Sequence, residues 1–155
     1  MPSTVDYLAA HAFFSALNED YIKLLSEFVT ERQVAKGEVL FQQGKIADKF
    51  YLVRKGQVSV QVPALVGPPL ELQVLGENQM LGWSWLIPPY RWNFMARAVE
   101  DTELLEFDGH AILARCEKDP KFGYELLKRF TALMSERLNA ARQKMMDQWN
   151  PPGFA

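Results

Sequence analysis

Gly37-Glu-Val-Leu-Phe-Gln-Gln-Gly44, Phe50-Tyr-Leu-Val-Arg-Lys-Gly56 and Gln57-Val-Ser-Val-Gln-Val62 are short β-prone runs punctuated by glycine. Val58, Val60 and Val62 alternate with polar residues, so one face of that strand is buried. Arg54-Lys55-Gly56 reads as a tight hairpin turn, with glycine supplying a positive φ that other residues resist. Two further runs, Glu71-Leu-Gln-Val-Leu75 and Glu103-Leu-Leu-Glu-Phe107, follow without a long helix between them. Five or more successive short strands predict an antiparallel roll or sandwich, not a parallel α/β sheet.

The pattern changes on either side of this region. Upstream, Leu17, Tyr21, Leu24, Leu25 and Phe28 recur at helical spacing behind Asn18, which predicts a helix over about 18–29 with Asn18 as its cap. Downstream, Asp108 is placed to cap a short helix carrying Ala111, Ile112, Leu113 and Cys116, which stops near Asp119-Pro120. A long helix is then predicted from about Lys121 to Trp149, ended by Asn150-Pro-Pro-Gly153. The expected architecture is mainly β with flanking helices. An antiparallel, jelly-roll-like β-roll (about 32–108) carries an N-terminal helix, a short helix and a long C-terminal helix (about 109–149). The whole chain, 1–155, reads as a single domain.

With 155 residues, 48% of them apolar, the chain can bury one sizeable core but not two ordinary ones. A formal net charge of -2 gives no general basic surface for a phosphate backbone, so nucleic acid is not an expected partner. The single cysteine, Cys116, cannot form an internal disulfide, and the N-terminus lacks the order of a secretory signal. No apolar run approaches the roughly 20 residues of a membrane span. A cytoplasmic protein with no membrane association is the expectation.

The order of elements, the three glycine-punctuated segments and Leu81-Gly82 together resemble the cyclic-nucleotide-binding-domain family, from about Phe13 to Met145. The segment Gly82-Trp-Ser-Trp-Leu86 is similar to stand-alone bacterial members. In the Crp/Fnr regulators of this family the long helix leads into a helix-turn-helix domain. The resemblance here carries over the sensing half only, because the chain ends where that domain would start. Nucleotide-binding members use a phosphate-binding cassette: a glycine turn, a glutamate for the ribose hydroxyl, a short helix and an arginine opposite the phosphate. Such an arrangement holds an anion through helix-terminal N–H groups and a charge-assisted hydrogen bond. In this sequence the glutamate position falls on Trp83. Counting back from Arg97-Ala98 puts Trp92 where the arginine would stand. Arg91 is one residue away and, by strand alternation, points to the opposite face unless a bulge re-aims it. The same resemblance places Ala141 and Arg142 of the long helix against the base.

The candidate ligand-binding residues are therefore Gly82, Trp83, Ser84, Trp85, Arg91, Trp92, Asn93 and Arg142. Trp83, Trp85, Tyr90, Trp92 and Phe94 read in two ways, as stacking surfaces for an aromatic ligand or as a plug filling the pocket. Ser84 reads as a helix-start residue donating to backbone or ligand. No catalytic residues are identified: Gly82-Trp-Ser-Trp-Leu86 lacks the strand-turn-helix setting of a nucleophile elbow. His11 and His110 are far apart with no ligand triplet, so neither a metal nor a cofactor is expected. Cys116 reads as a small core hydrophobe. Leu127, Phe130, Met134, Leu138, Ala141 and Met145 step by three or four and predict a homodimer seam along the long helix. Two functions stay open. One is a non-enzymatic sensor that binds a small ligand other than cyclic AMP. The other is a ligand-free homodimeric interaction module with an aromatic-filled pocket.

Overall fold

A computed structural model describes residues 3–148. The Trp149 end of the long helix and the Asn150-Pro-Pro-Gly153 stop lie outside them. The chain opens with two helices, α1 (Thr4–Ala10) and α2 (Glu19–Ser26). Eight strands follow: β1 (Val29–Val34), β2 (Val39–Phe41), β3 (Lys49–Lys55), β4 (Val58–Val62), β5 (Leu70–Leu75), β6 (Met80–Leu81), β7 (Met95–Ala98) and β8 (Thr102–Asp108). A single 3-10 turn (Ser84–Leu86) lies between β6 and β7, and α3 (Gly109–Lys118) and α4 (Pro120–Gln148) complete the order. The strands form two antiparallel four-stranded sheets, β1-β8-β3-β6 and β2-β7-β4-β5. The expected roll with flanking helices is the observed architecture.

Two cores explain why Phe50-Tyr51-Leu52-Val53 shows no polar alternation. Tyr51 and Val53 face the roll interior, where they meet Phe41, Val58, Val60, Leu75, Trp92 and Ala96. Phe50 and Leu52 face the other way, into a second core shared with the helices through Phe14, Leu25, Ile112, Phe122, Leu126 and Phe130. The sheet β1-β8-β3-β6 is thus buried on both faces at its centre. Each large side chain removed from water there contributes roughly 1.5–3 kcal/mol.

Helix ends follow the sequence closely. Asn18 caps α2 by accepting from the Tyr21 N–H at 2.9 Å, and Asp108 caps α3 by accepting from the Ala111 N–H at 3.1 Å. The helix expected over 18–29 ends earlier, at Ser26, because Val29 pairs with Phe107 as the first residue of β1. α1 was not foreseen; a Ser3/Asp6 capping box starts it. The hairpin turn at Gly56 has φ +102°, and a Cβ there would lie 2.8 Å from the Asp101 carbonyl. On α4, Phe130 is fully buried between Phe13, Phe50 and Trp85, which removes it from the expected seam. Beyond Arg137 the helix leaves the roll and residues 138–147 are all exposed. Among the described residues of this stretch, the Lys144 ammonium ties it back to the roll, donating to the Glu71 and Leu72 carbonyls of β5 at 3.3 and 3.1 Å.

Candidate functional site

The segment from Gly82 to Ala98 leaves the first sheet at β6 and enters the second at β7. Backbone hydrogen bonds fix its return. The Ala47 N–H donates to the Tyr90 carbonyl at 2.8 Å, the Trp92 N–H to the Lys45 carbonyl at 3.0 Å, and the Gly44 N–H to the Trp92 carbonyl at 2.8 Å. With that register set, alternation turns Trp92 inward and leaves Arg91 and Asn93 exposed.

Trp92 is 4% exposed and lies on Phe41, with ring centroids 3.6 Å apart and planes inclined by 11°. Tyr51 stacks near-parallel to Phe41 at 6.1 Å, and Phe94 lies 6.2 Å from Trp92. Gly82 permits this fit. It has φ +99°, and a Cβ there would come 2.8 Å from Trp92 Cη2. Burial, reinforced by the Glu106 carboxylate and opposed by Arg32, pushes the Tyr51 hydroxyl up to about 12.

At the rim, Trp83 is half-buried and meets Phe94 edge-on at 6.5 Å. The Arg137 guanidinium of α4 lies 6.0 Å from the Trp83 ring centroid and donates to the Met80 carbonyl. Burial lowers its pKa, opposed by the neighbouring Glu136 carboxylate. Among the described residues no carboxylate stands within ion-pair distance of Arg137.

The candidate residues therefore separate into four places. Gly82 and Trp92 meet inside the roll, with Trp83 at its rim. Trp85 turns away into the helical core, stacked on Phe50 at 4.9 Å and edge-on to Phe130 at 5.2 Å. Ser84 was expected to donate to backbone or ligand, but among the described residues its buried hydroxyl has no hydrogen-bond partner, and neither has the Trp85 Nε1. Arg91 donates to the Gly44 carbonyl at 2.9 Å on the outside of the roll, and Asn93 is exposed beside it. Arg142 is exposed on α4 and donates to Asn139 Oδ1 at 2.9 Å. Sequence reasoning missed Phe41, Tyr51 and Arg137. For Arg137, the helical step from Phe130 and Leu133 was the available signal.

Elsewhere, a cleft of about 420 Å³ opens beneath α1, lined by residues such as Tyr7, Glu31, Arg54 and Glu103. It shares no residue with the aromatic cluster. Within it Arg54 already pairs with Glu31 at 3.1 Å and covers the Tyr7 ring at 5.0 Å. Among the described residues no group of three His, Cys, Asp or Glu side chains could hold a metal ion. Burial raises the Cys116 thiol to about 11, away from nucleophilic use. No helix among the described residues is long and apolar enough to cross a membrane.

Comparison with known proteins places these features in a wider setting. A family model for the cyclic nucleotide-binding domain matches residues 31–119. The cyclic AMP receptor protein of Thermus thermophilus is 30% identical over 128 residues, which cover 83% of this chain and 57% of the relative. The anaerobic regulatory protein of Bacillus subtilis is 24% identical over 132 residues, 84% of this chain and 54% of the relative. The chain thus spans a little over half the length of these curated relatives. Among solved structures, the sensor domain of the transcriptional regulator DNR from Pseudomonas aeruginosa superposes with a TM-score of 0.67 at 22% identity, covering 85% of this chain and 89% of that one. The catabolite activator protein of Thermus thermophilus gives a TM-score of 0.69 at 28% identity, covering 86% of this chain and 61% of that one.

Proposed function

Because the chain belongs to the cyclic nucleotide-binding domain family, we propose that it is a regulatory module of that family whose roll is filled by its own side chains. It acts by pairing through α4 with a second copy, not by taking up cyclic AMP. The observation that carries this reading is the stack of Trp92 on Phe41, at 3.6 Å inside the roll. The resemblance puts the phosphate-pairing arginine of nucleotide-binding members at Trp92, and their ribose-binding glutamate at Trp83. Neither indole can replace a charged partner, and Arg91, the nearest cation in sequence, is occupied outside at Gly44.

Losing two hydrogen bonds to charged groups costs about 3 to 6 kcal/mol of binding. On that basis a micromolar-class site is weakened at least a hundredfold, to a Kd no tighter than roughly 100 μM. Titration calorimetry with cyclic AMP and cyclic GMP is expected to show no tighter binding. Low-micromolar affinity for either nucleotide would overturn the reading. The other function left open by the sequence, a sensor for a different ligand, requires that ligand to displace Trp92. A bound small molecule seen by native mass spectrometry on the purified protein would favour it.

The pairing face on α4 is a stripe of exposed apolar residues. Leu127, Leu138 and Met145 are 46, 59 and 69% exposed, with half-buried Met134 and exposed Ala141 between them. Thr131 takes the place expected of Phe130 and completes a heptad spacing, with 131, 138 and 145 at one seam position and 127, 134 and 141 at the other.

A further inference from the structure

The heptad spacing on α4 also fixes what flanks the seam. With Leu138 and Met145 at a, and Leu127, Met134 and Ala141 at d, the e positions include Lys128 and Arg142, and the g positions include Arg137 and Lys144. Every charged residue beside the seam is a cation. The acids of this helix, Glu125, Glu136 and Asp147, fall at b, f and c, away from it. Of the cations, Lys128 and Lys144 are engaged within the chain. Lys128 pairs with Glu125 at 3.3 Å, and Lys144 is held on the β5 carbonyls. Among the described residues, Arg137 and Arg142 hydrogen-bond only neutral oxygens, the Met80 carbonyl and Asn139 Oδ1.

In a parallel two-stranded coiled coil a g residue faces the e residue five positions further along the partner helix. Arg137 and Arg142 are five apart, so each would face the other's counterpart across the seam, twice by symmetry. Like charges in that position repel, and Arg137 has already lost hydration by burial against Trp83. We propose that a divalent oxyanion, either a free ion or the phosphoryl group of a small metabolite, binds between Arg137 of one copy and Arg142 of the other, and that this binding controls pairing. Guanidinium groups bind such oxygens through paired, charge-assisted hydrogen bonds. Each site is incomplete in a single copy. The inference rests on the pairing proposed above.

The test is the dimer dissociation constant of the full chain, measured by sedimentation equilibrium in chloride buffer. It is repeated with millimolar inorganic phosphate, and then with glycerol 3-phosphate, at constant ionic strength. Phosphate is expected to tighten pairing at least about tenfold. A larger effect of the ester would identify a metabolite's phosphoryl group as the source. Arg142→Glu replaces each repelling pair with an ion pair. It is expected to pair in chloride as tightly as the natural chain does in phosphate, with no further response to the anion. A natural chain that pairs equally in both buffers, or an R142E variant that keeps the phosphate response, would overturn the anion site while leaving pairing intact. Monomers in every buffer, R142E included, would overturn the pairing itself.

Discussion

Replacing Trp92 with alanine removes the ring that stacks on Phe41 and leaves a void between the two sheets. The expected loss is about 3–5 kcal/mol, in the range of buried Trp or Phe truncations. Urea denaturation followed by circular dichroism measures it. Trp83→Ala, at the half-buried rim, is expected to cost less than half as much, and equal losses would contradict the placement of Trp92. The inward aim of Trp92 and the outward aim of Arg91 were legible in the sequence, because alternation leaves adjacent strand residues on opposite faces. The direction of Trp85 was not. An apolar residue beside a two-faced sheet has two cores to choose from, and periodicity does not say which it joins. Arg137 was illegible for a related reason: a cation on a helix is ordinarily solvated, and only the fold brings it against Trp83 and Met80.

Among the elements, helices with a capping residue were placed within a residue or so at the capped end, the far end of α2 was overrun by three residues, and some elements were missed. α3 starts where Asp108 accepts from the Ala111 N–H, and Asp108→Ala is expected to cost about 1 kcal/mol, the usual loss at an N-cap. Thermal denaturation would report it, while Asp108→Asn should retain most of the stability. α1 escaped notice because seven residues with a single fully buried side chain, Leu8, are too short to display a period. β1 carries Thr30, Glu31, Arg32 and Gln33, and β7 reads Met-Ala-Arg-Ala. Charged and amide residues interrupt the β-formers of the first, and the second has none. Pairing with β8 holds the first in place, and pairing with β2 and β4 holds the second. Of the residues expected along a seam on α4, one is buried within the chain. Phe130 fits the three-four spacing but sits toward the roll, and Thr131 stands in its place on the outer stripe.

At the scale of the whole molecule, one sheet separates a roll packed with aromatic rings from a helical layer, and α4 extends from that layer past the roll. A single charge on the extension should therefore change assembly without disturbing the fold. Leu138→Glu is expected to give a monomer by light scattering at micromolar concentration with an unchanged circular dichroism spectrum. A dimer of undiminished strength would remove α4 as the pairing element. The extension also reaches back to its own body through Lys144 on β5. β5 ends its sheet, and Leu70, Leu72 and Val74 along it are exposed. A strand with an open side and uncovered aliphatic side chains is a template on which other chains can add as further strands. The Lys144 ammonium covers two carbonyls of this strand, so Lys144→Ala, which uncovers them, is expected to speed aggregation followed by light scattering, and an unchanged rate would show that the edge needs no such cover.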